Sequence, residues 1–293
     1  MHSIIDTHIH VWNFDKARYA WLDNDSSLLN RNYGIEELVP QRKQAGITAG
    51  VLVQAANNTE DTDWMLEVAG REEWIKGVVG WLPLMDASAT EKLLTTKYNK
   101  QPLIKGIRHL IHNESDPRWL LHQNVLESLS LLADHNIAFD VVGTIEEHIE
   151  TALAVADKIP NLRMIFDHLN QPPMGKNFGL WGALMQVAAT HENFFVKISG
   201  LGTATKKGNN WTAEDIKPSI YFVLEHFGED RCCCGGDWPV SLLAGDYVTT
   251  WDKYKAVLTE MLNEEAQQKV FSSNAEAFYK LKIDPVMARR GHE

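Results

Sequence analysis

His8 and His10, in the run Ile4-Ile5-Asp6-Thr7-His8-Ile9-His10, are the residues of this chain best placed by type and spacing to do chemistry. A β-strand repeats its side-chain direction every two residues, so the two imidazoles face the same way. Such a pair can hold a metal ion, or polarise a substrate oxygen between its rings. The lead-in Ser3-Ile4-Ile5 reads as a buried strand whose last residues emerge into a cleft. Polar side chains recur at the ends of later apolar runs: Gln54, Arg108 with His109, Asp140, Asp167 with His168, Lys197 with Ser199, and Asp237. A polar group inside a hydrophobic strand is costly unless paired, so each position is a candidate for function. Their recurrence at one end of successive strands carries more weight than any one of them.

Asp237 sits in Gly235-Gly236-Asp237-Trp238-Pro239. The glycines allow a tight turn or a close approach to a ligand, and the proline ends ladder pairing at its own nitrogen. Such an aspartate can act as general base on a water molecule, or cap the helix that follows. His168 alone reads as a satisfied core histidine, and beside His8, His10 and Asp237 as a fourth member of a cluster. Arg108 either grips a substrate carboxylate or hydroxyl, or forms a structural ion pair with Asp140. Cys232, Cys233 and Cys234 are adjacent, so strand alternation splits them between faces; they read as small buried residues rather than a zinc site. Gly200-Leu201-Gly202 lacks the continuation of a dinucleotide fingerprint, and no phosphate loop or Gly-x-Ser-x-Gly elbow is present. His112, His122, His135, His148, His191 and His226 lack ligand-like spacing and are read as surface residues.

Apolar runs at 3–9, 47–55, 75–84, 103–111, 138–143, 163–169, 194–199 and 231–238 read as strands. Segments with helical spacing lie between them, such as the one carrying Leu126, Leu129, Leu132 and Ala133. Pro160 and Asn161 close one helix, and Thr212-Ala213-Glu214-Asp215 resembles a capped, acidic helix start. Strands that alternate with helices and are near-continuously apolar point to an α/β fold, a closed (β/α)8 TIM barrel in a single domain spanning 1–293. A doubly wound open sheet is the alternative, since periodicity does not show closure. Two segments interrupt the rhythm. Residues 11–34 are aromatic-rich, with Trp12, Phe14, Tyr19, Trp21 and Tyr33, and residues 170–180 carry Pro172, Pro173 and Gly175. In a barrel both lie on the C-terminal face, where active sites are built. There the aromatic loop either covers a small ring-shaped ligand or packs onto the rim.

The chain of 293 residues has a net charge of −11, with 44% hydrophobic and 23% charged residues. That acidic balance argues against a nucleic-acid partner, because phosphate contacts need an excess of Lys and Arg. No apolar run approaches the roughly 20 residues needed to span a bilayer, so no membrane partner is expected. The start of the chain has no secretory-signal pattern, and three adjacent cysteines cannot make a disulfide framework. A reducing cytoplasm is the expected compartment. The Asn-x-Ser/Thr triplets at Asn57, Asn113 and Asn210 are then chance matches. The oligomeric state, including a homo-oligomer, is left open.

Several of these motifs, in this order, carry a resemblance. Asp6-Thr7-His8-Ile9-His10 with Trp12, Val53-Gln54-Ala55, Gly106-Ile107-Arg108-His109, Asp167-His168-Leu169, Lys197-Ile198-Ser199-Gly200-Leu201 and Gly236-Asp237-Trp238-Pro239 resemble the amidohydrolase superfamily from about residue 3 to 280. More narrowly, the chain resembles the amidohydrolase-2 branch, with its sugar-lactone hydrolases and pyrone-dicarboxylate lactonase. The resemblance implies a (β/α)8 barrel and hydrolysis at a carbon centre. In metal-dependent members a first-strand His-x-His, further histidines and an eighth-strand aspartate hold divalent ions. The matching residues here are His8, His10, His168 and Asp237. Arg108 stands where binuclear members carry a bridging Lys or Glu, and Asp140 where a histidine is expected. The implied cofactor is accordingly none, or one divalent metal such as Zn. The expected reaction is opening of a small-molecule lactone, most simply a sugar-derived aldonolactone. Asp237 would be the base on water, and His8, His10 and His168 would polarise the carbonyl. Arg108, His109, Gln54, Trp12 and Trp21 would bind substrate. The alternatives are a metal-dependent decarboxylase or amide hydrolase of the same superfamily, and a barrel that binds a ligand without turnover.

Overall fold

The computed structural model describes residues 3–283, so the last ten residues of the expected single domain and its first two lie outside the described part. Eight strands form one parallel sheet in sequence order: β1 (Ile5–Ile9), β2 (Ala49–Val53), β3 (Ile75–Gly80), β4 (Ile104–His109), β5 (Ala138–Val141), β6 (Met164–Phe166), β7 (Phe194–Ile198) and β8 (Cys232–Cys234). Helices α1 (Ile35–Gln44), α2 (Thr59–Ala69), α3 (Ala87–Lys92), α4 (Gln123–Asp134), α5 (Glu146–Lys158), α6 (Gly179–Ala189), α7 (Leu201–Ala204), α8 (Ala213–Phe227) and α9 (Tyr247–Met261) form the crossovers and the outer layer. α10 (Glu264–Gln268) and α11 (Asn274–Tyr279) follow. Sequential strand order excludes the doubly wound alternative, in which the order reverses at a switch point.

Closure is made where the chemistry is expected. His10 N donates to Trp238 O at 2.7 Å, Asp237 N to His8 O at 2.8 Å, and Thr7 Oγ1 to Cys234 O at 2.6 Å. β8 therefore meets β1 through the same residues that carry the candidate side chains. Gly235 permits this approach, because a Cβ there would lie 2.6 Å from that of His8.

Two apolar layers surround the sheet. Strand residues such as Ile9, Leu52, Ile107, Phe139 and Phe166 face the helices. Ile5, Val51, Val79, Ala138, Ile165 and Cys233 fill the barrel with Phe278, Tyr279 and Leu281 from the C-terminal segment. The helix starts follow local chemistry. Asn58 accepts from Asp61 N at 2.9 Å, Asp246 accepts from Thr249 N at 2.8 Å, and Thr212 with Asp215 makes the capping box its sequence suggests.

The strands are shorter than the apolar runs, most sharply in β6 and β8. After Phe166 the chain enters a left-handed turn, with φ of 55° at His168, 52° at Leu169 and 52° at Asn170. Each such non-glycine residue costs on the order of 1–3 kcal/mol, a strain the surrounding packing must offset. Asp237 is left-handed too, at φ 55°. In both places the turn takes a polar side chain out of the strand direction at the barrel mouth.

The loop at 11–34 is pinned rather than open. Trp12 and Tyr33 form an antiparallel bridge, and the Tyr19, Trp21 and Tyr33 rings each lie 5.3–6.2 Å from that of Trp12. Packing onto the rim, the second of the two readings, is what the loop does. His148 also departs from expectation: it is buried on α5, with Nδ1 accepting from Thr144 N at 3.1 Å. The three cysteines are buried and free.

Candidate active site

Asp237 Oδ1 lies 3.5 Å from His10 Nε2, 3.8 Å from His8 Nε2 and 4.0 Å from His168 Nε2. Three strand ends and two left-handed turns thus bring the four candidate residues together around one carboxylate oxygen. Each imidazole is oriented from behind. His10 Nδ1 donates to Val53 O at 2.7 Å, which leaves Nε2 with a bare lone pair. His168 Nδ1 lies 2.9 Å from Ser199 Oγ, a hydroxyl that can donate to it or accept from it, so His168 Nε2 can face the site with a proton or with a lone pair.

His8 is fully buried between two cations and a carboxylate. Its Nε2 is 3.2 Å from Arg108 Nη1, and its Nδ1 is 3.4 Å from Asp167 Oδ1 and 3.3 Å from Lys197 Nζ. Arg108 and Lys197 can only donate, so each His8 nitrogen faces one fixed cation, with the Asp167 carboxylate beside Nδ1. Burial drives the His8 pKa well below the ordinary imidazole value, against the pull of Asp167, and the adjacent Lys197 adds to the drop. Burial lowers that of His168 as well.

Arg108 binds protein, not an open cleft. Nε donates to Gln54 Oε1 at 3.1 Å, Nη1 to Asp167 Oδ2 at 2.9 Å, and Nη2 to the Gln54 carbonyl. Its ion pair is therefore with Asp167. Of the two readings offered for Arg108, the ion pair with Asp140 is not made: Asp140 is held by Lys197 and Tyr279, each at 2.7 Å from Oδ2. Lys197 Nζ is also 2.7 Å from Asp167 Oδ1. Two cations and two carboxylates neutralise one another, and no Lys or Arg among the described residues forms an ion pair with Asp237. Burial raises the Asp140 pKa to about 6 although Lys197 opposes it. Burial acts on Asp167 in the same sense, but Lys197, His8 and Arg108 together hold it well below the usual carboxylate range.

The expected substrate-binding residues are largely spoken for. Gln54 is fully buried, with Oε1 on Arg108 and Nε2 on Asn57 Oδ1 at 3.1 Å. His109 Nδ1 accepts from Trp81 Nε1 at 3.0 Å, its Nε2 meets Glu114 Oε1 at 2.7 Å, and its ring stacks on Trp119 at 4.0 Å. Trp12 is a core residue with no exposed surface, its indole on Arg31 O at 2.6 Å. Trp21 is half-buried and donates to Ala55 O at 2.7 Å. Direct contact with a ligand is therefore corrected for Trp12 and Gln54, which shape and support the site from within the fold.

Residues outside the expected set complete the scaffold. Asp6 accepts from His8 N at 2.9 Å, from Gly236 N at 2.8 Å and from Tyr247 Oη at 2.6 Å, tying β1 to the Asp237 loop and α9. Burial raises its pKa to about 6. The signal for Asp6 was legible, an acid inside an apolar strand. That for Tyr247 and Tyr279 was not, because each reaches the barrel from a distant helix.

The donor set fits one divalent ion. His8, His168 and Asp237 offer atoms all within 4.8 Å of one another, and His10 adds a bare Nε2 facing the same oxygen. Arg108 competes for the His8 lone pair, which leaves His10, His168 and Asp237 as the least encumbered donors.

The sequence matches the amidohydrolase family model over residues 5–281. It is 30% identical over 281 residues to L-fucono-1,5-lactonase of Burkholderia ambifaria, covering 94% of this chain and 95% of that protein. It is 27% identical over 253 residues to an L-fucono-1,5-lactonase of Burkholderia multivorans, covering 83% and 84%. A solved amidohydrolase from Burkholderia multivorans with bound zinc superposes with a TM-score of 0.86 at 24% identity, over 96% of this chain and all of that one. By sequence match and by fold, this chain belongs to the amidohydrolase family.

Proposed function

We propose that the protein opens a small lactone ring, most simply that of a sugar-derived aldonolactone. The observation that carries this reading is the Asp237 carboxylate, which faces three imidazole Nε2 atoms at 3.5–4.0 Å while the neighbouring charges cancel in pairs. No Lys or Arg among the described residues ion-pairs with Asp237, so its Oδ1 is turned to the imidazoles, where a general base would meet its water. The likeness to two L-fucono-1,5-lactonases supports the substrate class.

In this reading a water molecule between Asp237 Oδ1 and His10 Nε2 attacks the ring carbonyl carbon, and Asp237 takes one of its protons. The tetrahedral oxyanion is met by the His168 Nε2 proton and by the positive end of the Arg108–His8 pair. The bond from the carbonyl carbon to the ring oxygen then breaks, and Asp237 returns its proton to that oxygen as it leaves. The products are a carboxylic acid and a free hydroxyl. His8, pinned between Arg108 and Asp167, sets the floor of the site, and His109 and the Trp21 loop flank its mouth. Held by His8, His10, His168 and Asp237, a divalent ion would supply Lewis-acid polarisation of the carbonyl. An ester leaves more easily than an amide, so a lactone suits a site whose donors are imidazoles.

The test is a pH-indicator assay against a panel of aldonolactones, with and without a chelator. Turnover of a sugar lactone supports the reading. Loss of that turnover on chelation, restored by Zn²⁺, assigns the donor set to a metal. Failure to open any lactone, with decarboxylation or amide cleavage observed instead, overturns it in favour of the superfamily's other chemistries.

A further inference from the structure

His112 reads in the sequence as a surface residue, and it is exposed, but its place is the mouth of the barrel. β4 ends at His109, and the short turn Ile111–Asn113 carries His112 across to the neighbouring strand end. There its Nδ1 lies 3.4 Å from the carbonyl of Val142, the residue that follows β5. In the sheet Val141 pairs with Phe166, the last residue of β6, and Asp167 and His168 come directly after Phe166. The carbonyl that steers His112 is thus one residue past β5, and His168 is two past β6. Neighbouring strands run about 4.8 Å apart. His112 therefore stands on the β5–β6 side of the mouth, on the side from which His168 enters the site.

The surroundings of the ring agree with that placement. Although solvent reaches it, the protein packed around it leaves a charge there poorly solvated, and this lowers the His112 pKa to about 4. The Val142 carbonyl opposes the drop, and the charges of Arg108, His148 and His168 add to it. A side chain that is open to water yet feels buried charges on several sides lines a cleft rather than a convex surface. The ring is uncharged at neutral pH. A carbonyl only accepts, so Nδ1 carries the proton toward Val142, and Nε2 keeps a lone pair with no partner among the described residues.

An uncharged acceptor at this position answers to one kind of group. A hydroxyl has a proton to give it, whereas a carboxylate has none. The cations nearby do not change that preference, because Arg108 is paired with Asp167, and Lys197 with Asp140 and Asp167. A lactone whose carbonyl lies among His8, His10, His168 and Asp237 has to send its ring substituents toward the neighbouring strand ends, and His112 waits at one of them.

We propose that His112 is a specificity-determining residue, whose Nε2 accepts a hydrogen bond from a hydroxyl of the lactone. The proposal rests on the lactone reading above and narrows it to a ring that bears hydroxyls. One neutral hydrogen bond of this kind is worth about three- to tenfold in kcat/KM.

The experiment is a cycle in which substrate and protein are both cut back. The aldonolactone that the wild type opens fastest and its monodeoxy analogues are assayed with wild type, His112→Leu and His112→Gln, the last of which keeps an acceptor. In wild type, removal of one particular hydroxyl should lower kcat/KM about three- to tenfold, mostly through KM. In His112→Leu the parent and that deoxy analogue should react alike, and His112→Gln should restore the preference. The melting temperature of all three proteins should agree, since the ring is exposed. Discrimination in His112→Leu equal to that of wild type overturns the proposal. So does a loss in His112→Leu that is the same for the parent and every deoxy analogue. A wild type that opens no lactone fails the lactone reading, and binding then decides the role of His112 by itself. An aldonolactam, which keeps the hydroxyls and resists opening, is titrated by calorimetry into wild type and His112→Leu. Binding about three- to tenfold weaker in the variant supports the proposal, and equal affinity, or no binding by wild type, overturns it.

Discussion

Asp237→Asn separates the base from the scaffold more cleanly than any other change. Asparagine keeps the shape, tolerates the left-handed φ of 55° and retains both backbone bonds, Asp237 N to His8 O at 2.8 Å and Ser241 N to Asp237 O at 2.7 Å. It removes one negative charge. Because Arg108 and Lys197 are neutralised by Asp167 and Asp140, no buried cation is orphaned, and the stability change should stay within about 1 kcal/mol. Activity is another matter. A positioned general base contributes about 10²–10⁴ in rate, which is roughly 2.7–5.4 kcal/mol of barrel-mouth chemistry at 1.36 kcal/mol per tenfold. Thermal melting measures the first quantity, and the initial rate of acid release from a lactone the wild type opens measures the second. A melting temperature near that of wild type, with kcat/KM down at least a hundredfold, is the expected pair. An Asn variant retaining kcat/KM within tenfold would refute the assignment of Asp237 as base.

Three further outcomes follow from the same geometry. Gly200→Ala puts a Cβ 2.5 Å from His168 Nδ1 on a backbone at φ 62°, so it should displace His168 from Ser199, lower stability by about 1–3 kcal/mol in urea melts and depress kcat. Arg108→Lys keeps the charge but loses the fork that joins Gln54, Asp167 and His8; at least a tenfold fall in kcat/KM and about 2 kcal/mol of destabilisation are expected, and equal activity would dismiss the role given to that fork. Tyr247→Phe removes a 2.6 Å donor from Asp6, whose pKa burial raises to about 6. With a folded pKa above the unfolded one, the stability tied to protonated Asp6 is present at low pH and lost as pH rises through 6. The variant raises that pKa further, so its deficit against wild type, about 1–3 kcal/mol at pH 8, should shrink by pH 5 in denaturant titrations.

The eight strands were legible because parallel-barrel strands are apolar on both faces, and the site's location was legible because polar residues end them. His8, His10, His168 and Asp237 could be grouped in the sequence on that ground alone, and the structure brings all four around Asp237 Oδ1. Less legible was who pairs with whom. The sequence left Arg108 open between a substrate contact and a pair with Asp140; in the structure the two lie in register on neighbouring strands, yet Arg108 reaches Asp167 and Asp140 takes Lys197. Pairing across a barrel axis depends on side-chain reach and on inward-facing geometry, which strand order does not encode. Trp12 illustrates the same gap: an aromatic in a mouth-facing loop looks like a ligand contact until its indole finds Arg31 O and its ring is fully covered.

The sequence by itself determined the period of the elements, the parallel apolar strands, the end of the barrel that carries polar side chains, and the residues offered there. Those follow from local spacing, because a two-residue repeat and a polar terminus are properties of consecutive residues. Only the tertiary structure decided the charged surroundings of His8, the isolation of Asp237 from fixed cations, and the entry of Tyr279 and Tyr247 into the network. Those depend on distances between residues far apart in sequence, Asp140 and Tyr279 being 139 positions apart and Asp6 and Tyr247 being 241, which closure of the barrel alone brings to hydrogen-bonding range.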